Sequence, residues 1–109
     1  MLSLNVEELQ AFVAQHPGTL LLDVREAWEV QLAHIDVAGA QALHIPMHQV
    51  PQRLADLVGL QPIVCICHHG ARSAQVVAFL QRQGHTQVYN LAGGVDAWST
   101  QVDRAVPRY

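Results

Sequence analysis

Two cysteines stand close together in this chain, and the second opens a run whose residue types suit chemistry: Cys67-His68-His69-Gly70-Ala71-Arg72-Ser73. Gly70 permits a tight turn without a Cβ clash, and Ser73 opens a helical pattern that continues to Gln83. Backbone amides turned inward by such a loop form an anion-binding nest, to which the following helix adds its positive end. A cysteine sulfur in that cradle is favoured as the nucleophilic thiolate. Arg72, His68 and His69 supply the rim with donors and positive charge. The reading is a thiolate-based, anion-binding site. Cys67 is its nucleophile, and His68, His69, Gly70, Ala71, Arg72 and Ser73 form its cradle and substrate-binding residues. Cys65 lies inside the apolar run Ile63–Ile66 and reads as a packing residue.

Other chemistries fit these residues less well. Cys65-x-Cys67 with His68 and His69 is too tight for a structural zinc site, whose thiolates stand roughly two to four residues apart and need a second ligand group elsewhere. No metal and no cofactor is expected. A thioredoxin-like pair wants Cys-x-x-Cys, which is absent, and a disulfide across one intervening residue strains the bond geometry.

The elements around the loop follow from hydrophobic periodicity. Asn5 with Glu8 three residues on reads as a capped helix start, with Leu9, Phe12 and Val13 on one face and His16-Pro17-Gly18 as the stop. Thr19–Val24 and Pro62–Cys67 are continuous apolar strands of the kind buried on both faces of a parallel sheet. Arg25–Ala33 makes a short helical turn with Trp28 as core anchor, and Ala42–Ile45 is strand-like. Val50–Leu60 reads as an amphipathic helix with Leu54, Leu57 and Val58 inward. Ser73–Gln83 is a helix, Gln87–Tyr89 a short strand, Leu91–Gly94 a turn, and Val95–Val102 a final helix carrying Trp98. Strands alternating with helices give an α/β layout with a parallel sheet, whose ligands bind at the carboxyl ends of the strands. Two stretches belong to that edge: the cysteine loop and Asp23-Val24-Arg25-Glu26.

Composition narrows the setting. The chain has 109 residues, 50% hydrophobic and 14% charged, enough for one buried core in one domain spanning 1–109. Its net charge is -3 and all its cations are arginines, scattered at positions 25, 53, 72, 82, 104 and 108. No basic stripe invites nucleic acid. The longest apolar run, near Gln61–Ile66, is far short of the roughly 20 residues of a membrane span. Two cysteines do not make a secreted disulfide scaffold, and the start MLSLNVEEL lacks a signal-peptide pattern, so a cytoplasmic setting is expected. His16, His44, His48 and His85 read as surface or satisfied core histidines.

In order and spacing, these residues resemble the rhodanese-like sulfurtransferases in their small single-domain form. The cysteine loop matches that family's Cys-x-x-Gly-x-Arg-Ser/Thr at every fixed position. Leu22-Asp23-Val24-Arg25-Glu26 matches its Asp-x-Arg-Glu stretch, and Leu91-Ala92-Gly93-Gly94-Val95-Asp96-Ala97-Trp98 its Gly-Gly-x-x-x-Trp. His34-Ile35 with Ala38-Gly39-Ala40, and Ile45-Pro46, are similar to two further elements, though the segment from His34 to Pro46 is a few residues longer than the family pattern. The likeness runs from about Leu4 to Thr100.

The resemblance implies a three-layer α/β fold, a central parallel sheet flanked by helices. It implies a thiosulfate sulfurtransferase-like enzyme that works through a Cys67 persulfide. The donor is a small anion such as thiosulfate, or a persulfide-donor protein, and the acceptor is cyanide or a thiol. The amides from His68 to Arg72 would hold the anionic sulfur, in a shallow site that leaves Cys67 accessible. Arg72 would take the donor's sulfonate or close the loop, while Asp23 and Arg25 give structural support. The six-residue loop fits sulfur, whereas related phosphatases carry one residue more. The other function class is a noncatalytic or regulatory binding or sensor module, and retention of Cys67 with its whole loop favours the enzyme.

Overall fold

The computed structural model describes residues 1–59 and 62–109. Five parallel strands form one sheet in the order β1-β5-β4-β2-β3: β1 Leu2–Asn5, β2 Leu20–Asp23, β3 Gln41–His44, β4 Ile63–Ile66 and β5 Val88–Ala92. The helices are α1 Val6–Gln15, α2 Ala27–Leu32, α3 Ala71–Arg82 and α4 Gly94–Gln101, with a 3₁₀ segment over Met47–Leu57.

The apolar strands are continuous because both faces of the sheet are covered. Alternation sends Leu20, Leu22, Ile63 and Cys65 into one core with Val76, Val77 and Leu80 of α3 and Val50 and Leu57 of the 3₁₀ segment. Leu21, Val64 and Ile66 face the other way, into a core with Leu9 and Val13 of α1 and Val95 and Trp98 of α4. This is the three-layer α/β fold. Cys67, one step beyond β4, keeps the side of Cys65 and so points toward the start of α3. After β2 the chain moves outward to β3, then returns to the other side of β2 as β4. The order therefore reverses between β2 and β4, and the loops after those two strands flank the switch point where α/β sheets bind ligands.

Several local expectations differ from what is found. The first strand, β1, is an edge strand whose Leu4 sits opposite Leu91 of β5, ahead of the capped start of α1, where the Asn5 amide donates to Glu8 Oε1 at 2.9 Å. β5 runs on to Ala92, so Leu91 is strand and not turn. The segment expected as an amphipathic helix is 3₁₀ and kinked at Arg53, two residues after Pro51, whose missing N–H interrupts a regular ladder. Leu57 is buried within it, but Val58 is 76% exposed, and Leu60 lies outside the described residues. Trp28 is not a core anchor: it is 59% exposed on α2, while Trp98 is 2% exposed. Residues 33–40 form a loop that buries Ala33 and Ile35 and is tied back by the Gly18 amide on the Gly39 carbonyl at 2.8 Å. No helix among the described residues is long and apolar enough to cross a membrane.

Candidate active site

Cys67 Sγ accepts a hydrogen bond from the Gly70 amide at 3.0 Å, and the Ser73 hydroxyl stands 3.2 Å from it. The amide is aimed by Gly70, whose φ of +107° lies in the left-handed region that favours glycine, and α3 begins at the next residue, Ala71, two residues before Ser73. The single Ser73 hydroxyl proton is shared with Asn90 Oδ1, which accepts it at 2.5 Å, and Asn90 Nδ2 donates to the Gly70 carbonyl at 3.1 Å. Asn90 on β5 thus braces both groups that touch the sulfur. The outer side of the loop is held by α4, whose Val95 and Asp96 amides cap the Cys67 and His68 carbonyls at 3.0 Å each. This close approach needs Gly94, where a Cβ would collide with the Cys67 carbonyl oxygen and come within 2.6 Å of that of His68.

The second loop lies beside it. Arg25 is fully buried and meets Asp23 in a fork, Nε to Oδ1 at 2.9 Å and Nη2 to Oδ2 at 2.6 Å. Its Nη2 also donates to the Ala33 carbonyl at 2.7 Å, and its own carbonyl lies 2.6 Å from His44 Nε2. Burial opposes the Arg25 charge, but the hydrogen bonds to Asp23 and Tyr109 outweigh it and hold its pKa above the ordinary value. Arg72 makes a bidentate pair with Glu29, at 2.7 and 2.8 Å. The carboxylate is 4% exposed. The Arg72 hydrogen bonds, working against burial, hold Glu29 well below the usual carboxylate range, at about 2. The same pair raises Arg72. Glu29 takes two of the five Arg72 N–H groups, and the Arg72 side chain stays 36% exposed.

The rim is aromatic as well as cationic. The His68 ring lies between those of His69 and Tyr109, each at 4.0 Å between centroids, and its Nε2 is buried without a partner among the described residues. Burial, then the neighbouring His69, lower the His68 pKa from its ordinary value. His69 and Ala71 are exposed. Cys67 itself is 1% exposed, which corrects the expectation of an open nucleophile: the loop wraps the sulfur. Cys65 is wholly buried, and burial followed by the proximity of Cys67 pushes its thiol up to about 12.

Three residues of this arrangement were not picked out from the sequence. Asn90 offered a faint signal, a polar residue inside the apolar strand Val88–Leu91. Glu29 offered another, a carboxylate one helical turn beyond Arg25. Tyr109 offered none, since its partners Arg25 and Glu29 are 84 and 80 residues away along the chain.

Sheet order, switch point and a cysteine loop that runs into a helix define a class of α/β domains built around one wrapped sulfur. The chain belongs to the rhodanese-like domain family, whose model matches residues 5–101. A curated sulfurtransferase of Allochromatium vinosum is 35% identical over 96 residues, covering 88% of this chain and 86% of that protein. A thiosulfate sulfurtransferase GlpE of Pseudomonas savastanoi is 33% identical over 98 residues, 89% of each chain. Among solved structures, a rhodanese-like domain protein from Staphylococcus aureus superposes with a TM-score of 0.78 at 28% identity, covering 100% of this chain and 99% of that one.

Proposed function

We propose that the chain is a sulfurtransferase that carries sulfane sulfur on Cys67, from thiosulfate or a protein persulfide to cyanide or a thiol. One observation carries this reading: Cys67 Sγ receives the Gly70 amide at 3.0 Å, with the Ser73 hydroxyl 3.2 Å away, beside the first turn of α3. Donors fixed by the fold stabilise an anionic sulfur without reorganising when charge shifts. The two curated relatives cited above are named as sulfurtransferases, which favours the same chemistry here.

The steps balance without an outside oxidant. The Cys67 thiolate attacks the outer sulfur of thiosulfate, the donor's S–S bond breaks, and sulfite leaves with the electron pair. The resulting persulfide keeps its charge on the terminal sulfur. Cyanide then attacks that sulfur, the Cys67 S–S bond breaks, and the thiolate is regenerated as thiocyanate departs. Both cysteines are free thiols, and a reducing, cytoplasmic setting suits them. Thiocyanate formation from thiosulfate and cyanide tests the reading. Wild type and Cys65→Ala are expected to turn over, with Cys67→Ser at background. Turnover by Cys67→Ser at the wild-type rate would overturn it.

A further inference from the structure

Tyr109 belongs to none of the sequence motifs, yet three parts of the site meet on it. Its hydroxyl accepts from Arg25 Nη1 at 2.8 Å and donates to Glu29 Oε2 at 2.9 Å. Its ring lies face to face on His68, 4.0 Å between centroids and 11° from parallel, with the exposed Trp28 against it at 6.0 Å. Glu29 divides its four donors evenly. Oε1 takes Arg72 Nη1 and the Glu26 amide, and Oε2 takes Arg72 Nη2 and Tyr109. Because that carboxylate is 4% exposed, water does not readily replace a lost donor. The segment bearing Tyr109 is anchored independently, by the Ser99 hydroxyl on the Val106 carbonyl and by Arg108 on Asp96.

We propose that Tyr109 is a positioning residue for sulfur transfer, its hydroxyl fixing the Glu29 carboxylate that holds Arg72 and its ring pinning His68 beside the Cys67 loop. The proposal rests on the sulfurtransferase reading above. Its two halves separate by substitution: Tyr109→Phe removes the hydroxyl and keeps the ring, and Tyr109→Leu removes both. The ring has its own readout. Burial and His69 lower His68, with Arg72 acting in the same direction and Asp96 and Glu29 in the opposite one. Uncovering the ring relieves the first cause, so the His68 titration midpoint rises in Tyr109→Leu and is restored by phenylalanine.

The experiment measures thiocyanate formation and His68 titration by NMR in wild type and both variants. Tyr109→Phe is expected to lose about tenfold in kcat/KM for thiosulfate, the size of one buried hydrogen bond to a charged group, with His68 unmoved. Tyr109→Leu is expected to lose more and to raise the His68 midpoint toward its ordinary value. Wild-type kinetics in Tyr109→Phe would overturn the hydroxyl's role even if the leucine variant failed to fold. An unmoved His68 in folded Tyr109→Leu would overturn the ring's. A wild type that makes no thiocyanate would instead refute the sulfurtransferase reading, and this proposal with it.

Discussion

Replacing Glu29 by Gln isolates the charge that holds Arg72. Its folded pKa of about 2, against an ordinary 4.5, corresponds to about 3 kcal/mol at roughly 1.4 kcal/mol per pH unit. Arg72 is 36% exposed and recovers part of its hydration when the pair is broken, which discounts the net cost to about 2 kcal/mol. The sign follows from linkage. A carboxylate depressed in the folded state contributes its full stability above its unfolded value and loses it as pH falls through the folded one. Urea unfolding near pH 7 is therefore expected to show Glu29→Gln with a midpoint lower by about 1–2 M, for an ordinary urea slope. The two proteins should converge as pH falls from about 4.5 to about 2, where the wild-type carboxyl is itself becoming neutral. A midpoint difference that stayed constant over this range would refute the ion pair as its source and point to amide packing instead. No difference near pH 7 would refute the clamp.

Other residues give shorter tests. Arg72→Ala is expected to lower thiosulfate turnover by about a hundredfold, the effect of losing one oriented electrostatic group. Lysine should restore only part, lacking the planar fork that spans both Glu29 oxygens, and full recovery with lysine would contradict that geometry. Ser73→Ala removes the hydroxyl 3.2 Å from Cys67 Sγ, so persulfide formation should slow by about tenfold while the fold survives, as stopped-flow sulfite release would show. Gly94→Ala drives a methyl into the carbonyls of Cys67 and His68, and thermal unfolding should register a loss of several kcal/mol, on the order of the larger core and backbone effects. In native protein Cys65 should resist iodoacetamide, since burial holds its thiol at about 12, and peptide mapping should find it modified only after unfolding.

What the sequence disclosed was local. Cys67, Gly70, Arg72 and Ser73 lie within one turn and the start of one helix, so their spacing alone describes a cradle. Ile63–Ile66 is apolar at every position because both faces of β4 are covered, and that too is visible in a single segment. Apolarity misled where burial depends on neighbours: Trp28 and Val58 are large and apolar yet exposed, since apolar residues are common on surfaces. β1 was missed because only Leu4 of its four residues is buried and its partner strand lies near the other end of the chain. Glu29, Asn90 and Tyr109 act through contacts between distant segments, as does the wrapping that leaves Cys67 1% exposed. Periodicity holds no record of such contacts.

On the sulfurtransferase reading, Cys67 and not Cys65 carries the sulfur. Site-resolved mass spectrometry of native protein exposed to thiosulfate, before and after cyanide, tests it most directly. The expected result is one added sulfur, about 32 Da, mapped to the Cys67 peptide by thiol–sulfane exchange, removed by cyanide and absent from Cys67→Ser. Added sulfur on Cys65, or loading that persists in Cys67→Ser, would rule out Cys67 as the carrier.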